Sequence, residues 1–191
     1  SMGALKGIIL DADGSTLYNL YNEFNITAST VNYELDDEDT EVSAKCTATS
    51  RLIETNLKGE QMTGVRGLCD STFYDALISH PTVKDAYKYF LNSGQTLSGD
   101  YRKSFRFGGI TFEEYPATWT DHDGTARPAI AAGHCHFYPE GTGDTFDTII
   151  APGNFVETAN TMGLPYYARQ QERPLGRGID LWAEANLLPL C

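Results

Sequence analysis

The sequence predicts an α+β fold. Three observations carry the prediction. Apolar positions at helical spacing are confined to the stretch between Glu38 and Asn92, period-two alternation governs the segments near both ends, and Gly, Pro and Asp clusters cut the chain into short pieces. A chain of 191 residues with 41% hydrophobic content is long enough for one or two domains with a real core.

In chain order, Ala4 to Leu10 is short and apolar, Asp11-Ala12-Asp13-Gly14 supplies turn chemistry, and Ser15 to Phe24 alternates, so a β-hairpin is expected. Val31 to Leu35 reads as another strand. The acids Asp36 to Asp39 would then cap a helix running from about Glu38 to Leu57 and stopping at Gly59, with Val42, Cys46, Thr49, Leu52 and Ile53 as its buried stripe. Met62 to Cys69 is a predicted strand, and Asp70 or Ser71 the N-cap of a helix carrying Phe73, Tyr74, Leu77 and Ile78. His80-Pro81 breaks that helix, and a second one follows to about Asn92 with Val83, Tyr87 and Phe90 on one face. Asn92 to Asp100 reads as a mobile loop. Phe105 to Tyr115 reads as one aromatic strand with a bulge or a close backbone approach at Gly108-Gly109, Trp119 to Thr125 as a turn, Ala129 to Tyr138 as a strand and Pro139 to Asp144 as a Gly-rich loop. From Thr148 the pattern is an apolar strand, a Pro-Gly break, a short helix and a long extended passage. Its last part, Ile179 to Leu190, is predicted to be one strand whose face of Ile179, Leu181, Ala183 and Ala185 packs inward.

Composition narrows the function classes. The net charge of −12 is uneven, with nine acids and no Lys or Arg between Asp11 and Glu41, a surface that repels phosphate and argues against specific nucleic-acid recognition. No apolar run approaches the ~18 residues of a membrane span. Cys46, Cys69, Cys135 and Cys191 form no CxxC pair and are too scattered to suggest a staple framework, so reduced thiols in a cytosolic setting are expected. Ser1-Met2 has the look of an expression remnant.

Catalytic, cofactor and metal residues are not found. Gly7 to Leu17 imitates the DxDG-T-L opening of haloacid-dehalogenase-type phosphatases, the alternative reading, in which Asp11 would attack phosphate and Asp13 act as acid and base. Ser15 is inserted, however, which sets Thr16 and Leu17 one place late, and a hairpin turn is the simpler account. His134-Cys135-His136 falls short of the three or four ligands zinc needs, with only His122 nearby. Asp121, Asp123 and Gly124 begin like a calcium loop, but Ala126 and Ala132 stand where Gly and a bidentate Glu belong. Arg169, Arg173 and Arg177 recur every four residues; in an extended chain they share a face, and a subunit contact is the reading offered for them.

A resemblance is carried by several short words. Glu157-Thr158, Asn160-Thr161, Gly163-Leu164-Pro165-Tyr166-Tyr167-Ala168, Asn186 and Leu188-Pro189-Leu190 resemble the tail of the lambda-type major capsid proteins of tailed bacteriophages, the protein E family. Leu5-Lys6-Gly7, Leu10 to Gly14, Gly64-Val65-Arg66, His80-Pro81, Phe107 to Ile110 and Phe112 to Tyr115 match upstream in the family's order, so the resemblance covers Gly3 to Cys191. It implies a structural, non-enzymatic subunit of the icosahedral shell around phage DNA. The implied fold is that of tailed-phage major capsid proteins, with a peripheral domain of residues 3–61 and 147–191 and an axial domain of residues 62–146. It also implies pentamers and hexamers of the full-length protein, a possible scaffold or decoration partner, no cofactor, no membrane, and a place in the virion after assembly in the host cytoplasm. The family's N-terminal arm, extended loop and final strand are expected outside this stretch of sequence.

Overall fold

The computed structural model describes residues 7–11, 14–92, 104–120, 124–143 and 145–190. The predicted loop at 93–100 lies outside these residues, as do Asp13, Asp121, His122, Asp123, Asp144 and Cys191.

The expected hairpin forms. β1 (Ile8–Leu10) pairs antiparallel with β2 (Thr16–Asn19), with a register shift between Ile9 and Leu10. Its turn closes through Asp11 N–H to the Ser15 carbonyl at 2.8 Å and Gly14 N–H to the Asp11 carbonyl at 3.0 Å. The returning strand is shorter than the alternation implied. The Asn19 carboxamide oxygen accepts from the N–H groups of Tyr21 and Asn22 and starts a short helix, α1 (Leu20–Glu23), so local capping overrides the strand pattern.

Val31 to Leu35 is not a strand either. Tyr33 is buried as an anchor: its hydroxyl meets Thr49 Oγ1 at 3.0 Å and its ring stacks on Phe137 at 5.5 Å between centroids. Its aromatic character is used for packing rather than for a ladder. The acids that follow do not cap a helix. Asp37 Oδ1 accepts from Asp39 N–H at 3.0 Å within its own turn, and α2 (Val42–Asn56) begins later than expected, behind Glu41, which makes no side-chain capping bond. Val42, Cys46 and Thr49 form the buried stripe, with Leu52 and Ile53 half-buried beside it. Lys58 and Gly59 take positive φ values of 51° and 102° and end the helix where predicted.

The centre of the molecule is a four-stranded mixed sheet ordered β4-β5-β3-β8. β3 (Gly64–Cys69) lies parallel to β5 (Ile110–Glu114) and antiparallel to β8 (Cys135–Glu140), while β4 (Ser104–Phe107) returns antiparallel on β5. Arg66 ties three strands together, with Nη1 2.7 Å from Glu113 and Nε 2.7 Å from Glu140. After β3, Asp70 caps α3 (Ser71–Ser79). Its Oδ2 accepts from Thr72 N–H at 2.9 Å and from Gly133 N–H at 3.1 Å, which also pins the loop before β8. His80, 3% exposed, separates α3 from α4 (Pro81–Asn92) and reaches the Asp37 carbonyl through Nε2 at 2.9 Å. The core gathers Tyr33, Val42, Cys46, Val65, Cys69, Phe73, Tyr74, Leu77, Val83, Phe105, Ile110 and Phe112.

Three loop and strand assignments differ from the sequence reading. Gly108-Gly109, with φ of 57° and 86°, is a tight hairpin turn rather than a bulge, because two consecutive left-handed residues match the twist of flanking antiparallel strands, and the close approach expected there holds at Gly108, where a Cβ would sit 2.6 Å from Cys46 Cβ. Trp119 lies in a strand: β6 (Thr118–Thr120) pairs with β7 (Ala126–Pro128). The strand expected from Ala129 begins only at Cys135, since Ala129 and Ile130 are buried in a loop and the chain turns through Ala131 to His134. Pro139 and Glu140 still belong to β8, the edge strand, where a sheet tolerates proline.

The last third builds two ribbons. β9 (Asp147–Ile150) pairs with β12 (Leu187–Leu190), and β10 (Tyr167–Glu172) with β11 (Ile179–Glu184). The single strand predicted for Ile179 to Leu190 is therefore two. Asn186 makes the break, donating from Nδ2 to the Pro152 carbonyl at 3.0 Å and to Glu184 Oε1 at 2.7 Å, while its carbonyl accepts from Ala151 N–H at 2.9 Å. The short helix is a 3-10 turn, Val156–Thr158. Gly163 lets the connecting segment cross directly over the Ile150 backbone, where any side chain would collide.

Candidate assembly surface

The β10–β11 ribbon has two unlike faces. Register pairs Tyr167 with Glu184, Arg169 with Trp182 and Gln171 with Asp180 on one face, and Ala168 with Ala183, Gln170 with Leu181 and Glu172 with Ile179 on the other. The first face is partly covered by the segment around the 3-10 turn. Phe155 packs on Tyr167 at 6.4 Å, Arg169 lies over the Phe155 ring and bonds Glu157 at 2.9 Å, and Asn154 N–H donates to Glu184 at 3.1 Å. The Glu157 backbone N–H, and then Arg169, hold the Glu157 carboxyl below its ordinary range.

The second face is open, which corrects the expectation that Ile179, Leu181 and Ala183 pack inward. They do share a face, but Leu181 is 79% exposed, Ile179 58%, and no described element covers them. The physical reason is the break at Asn186: it carries the chain off to β9, so the ribbon is a two-stranded sheet with no described element stacked on this face. Trp182 on the opposite face, and Leu175, Val156 and Met162 in the connecting segments, are also largely exposed. A concentration of apolar side chains of this kind marks an interaction surface.

The three arginines are not a single strand-face stripe. β10 ends at Glu172, and the chain turns through a 3-10 turn at Pro174–Gly176. Arg169 is paired with Glu157, Arg173 Nε donates to Asp180 Oδ1 at 2.7 Å, and Arg177 sits exposed in the ribbon's tip with no ion-pair partner among the described residues.

The other sequence motifs do not converge on chemistry. Asp11 lies in the turn of an antiparallel hairpin, not at the end of a parallel strand as a phosphatase nucleophile requires. His134 falls in the turn before β8, so it and His136 do not share a strand, and among the described residues no three metal-ligating side chains cluster. No described helix is long and apolar enough to cross a membrane. Cys46 is buried, which raises its thiol to about 11. Cys69 and Cys135, remote in sequence, stand side by side across β3 and β8, a proximity that spacing alone could not reveal.

The sequence profile of the phage major capsid protein E family matches residues 1–191. The chain belongs to that family. It is 34% identical over 190 residues to a major capsid protein of Pseudomonas phage KPP10, covering 92% of this chain and 53% of the relative. It is also 25% identical over 218 residues to a major capsid protein of Salmonella phage Felix O1 (isolate Felix O1-VT1), covering 100% of this chain and 59% of the relative. The chain thus spans somewhat over half the length of the curated relatives it matches. The sequence places Ile179, Leu181 and Ala183 on one face, as found, but predicts that face to be interior. The missing signal was Asn186, whose side chain redirects the strand.

Proposed function

We propose that this chain is part of a structural major capsid subunit that assembles with other copies of itself into the icosahedral head around phage DNA. The observation that carries the reading beyond family membership is the open apolar face of β10–β11, too exposed to serve the subunit's own core. Pentameric and hexameric clustering, contact with a scaffold or decoration protein, and residence in the host cytoplasm before assembly belong to the same proposal. So does the division into a peripheral domain of residues 3–61 and 147–191 and an axial domain of residues 62–146. Arg177 is the arginine best placed for a subunit contact, since Arg169 and Arg173 already have carboxylate partners. The proposed role is non-enzymatic, and magnesium-dependent phosphate-ester hydrolysis lost in Asp11→Asn would contradict it. Electron microscopy of the complete gene product after expression tests the main claim: closed shells are expected, and a dispersed monomer under all assembly conditions would overturn it.

A further inference from the structure

The geometry points to a second, covalent feature: we propose that Cys69 and Cys135 form a redox-controlled intrachain disulfide that locks the edge strand β8 to the centre of the sheet. The two residues face each other directly in the β3–β8 register, and their Sγ atoms are 3.2 Å apart although 66 positions separate them in sequence. Asp70 N–H bonds the His134 carbonyl at 3.0 Å, so the adjacent Asp70–His134 pair is the hydrogen-bonded one and Cys69–Cys135 is non-hydrogen-bonded. Cα atoms at such sites lie ~4.5 Å apart, inside the window a disulfide spans without backbone movement. Gly67 makes the room: a Cβ there would sit 2.8 Å from Cys135 Sγ. Both cysteines are free thiols in this structure.

The bond requires a two-electron oxidant, and a low-molecular-weight disulfide supplies the chemistry. The thiolate of Cys135, the half-buried member on the edge strand, attacks one sulfur of the small disulfide and expels the other as a thiol. Cys69, having lost its proton to solvent, then attacks Cys135 Sγ and expels the second. Two protein thiols are oxidised and one small disulfide is reduced to two thiols. Burial, and then the hydrogen bond with Cys69, hold the Cys135 thiol well above its ordinary range, so the exchange is slow while the sheet is closed. The biological setting rests on the capsid reading: a shell subunit is made in a reducing cell and released into an oxidising exterior. Cys46, buried on α2 above the Gly108 turn, is the control thiol.

The test is to incubate the folded chain with oxidised glutathione in the absence of denaturant and map non-reduced peptides by mass spectrometry. The expected result is a Cys69–Cys135 crosslinked peptide, reversed by dithiothreitol, with the melting temperature of the oxidised chain higher by roughly 5 to 10 °C. Cys69→Ala should stop at a glutathione adduct on Cys135, and Cys46→Ala should leave the crosslink yield unchanged. The proposal is overturned by a persistent glutathione adduct on Cys135 in the unsubstituted chain, by Cys69 or Cys135 crosslinking only between chains, by a bridge that appears only in urea, or by loss of the bridge in Cys46→Ala. Shell formation by the complete gene product in reducing buffer is scored separately. Shells without a bridge keep the capsid reading and sink this proposal, and a bridge without shells does the reverse.

Discussion

Replacing Leu181 by Ser separates a contact surface from a core. Leu181 is 79% exposed on the open face of β11. Full burial of a leucine side chain is worth ~1.5–3 kcal/mol, so covering the exposed four-fifths in an assembled shell contributes about 2 kcal/mol per subunit at most. Removing it should raise the subunit concentration needed for assembly by about 30-fold or less, since 1.4 kcal/mol is about tenfold in an equilibrium constant. The isolated subunit should hardly notice, because exposed substitutions away from special features usually fall within about 0.5 kcal/mol, or ~1–2 °C in melting temperature. The paired assay is thermal unfolding of this chain and light-scattering assembly of the complete gene product over a concentration series. A melting temperature lowered by several degrees would mean that Leu181 packs within the fold, and assembly at the unsubstituted threshold would mean that the face is not a contact; either result refutes the reasoning.

Phe112→Ala should behave in the opposite way. Phe112 is fully buried against Tyr33, Phe73 and Phe137, so urea unfolding should show a loss of ~3–5 kcal/mol. Gly108→Ala should cost at least ~1 kcal/mol, read by the same unfolding curve, because Gly108 sits at φ 57° and the added Cβ would meet Cys46 Cβ at 2.6 Å. Burial opposes ionisation of Asp70, but the N–H groups of Gly133 and Thr72 outweigh it and hold the carboxyl below its ordinary range. Its stabilisation is therefore complete above the unfolded value of about 4 and is lost as pH falls through the lower folded value. Asp70→Asn, which keeps an acceptor, should flatten that acid limb of the stability curve.

How much of this fold is legible in sequence depends on whether the deciding contact is local. The helices α3 and α4 and their junction were legible because Asp70, the stripe Phe73, Tyr74 and Leu77, and His80-Pro81 all act within one or two turns. The β1–β2 turn was legible for the same reason. The parallel pairing of β3 with β5 was not, because Val65 meets Ile110 across two intervening helices and no local rule selects that partner. Val31 to Leu35 is misleading because the alternation of Val31, Tyr33 and Leu35 with Asn32 and Glu34 describes both a strand and an anchored loop. Only the Thr49 hydroxyl and the Phe137 ring, both distant in sequence, decide for Tyr33. The acids Asp36 to Asp39 misled through competition: a carboxylate can serve its own turn as well as a helix end, and Asp37 does the former.

The error at Ile179 to Leu190 has a different origin. Period-two alternation establishes that one face of a strand is apolar; it carries no information about what will bury that face. In a monomeric protein the answer is the chain's own core, and the expectation of an inward-facing Ile179, Leu181 and Ala183 assumed as much. Here the core is already complete without them: Phe105, Ile110 and Phe112 fill the sheet's buried side against α3 and α4, and Tyr33 with α2 closes it. The ribbon is also held by its own devices, the Arg173–Asp180 and Arg169–Glu157 pairs and the Asn186 break, none of which needs the apolar face to be covered. On the proposed capsid role, a surface that the described fold leaves open is available for burial against another copy. On that proposal the alternation of β11 signals burial against a neighbouring subunit, which the Leu181→Ser assembly assay tests.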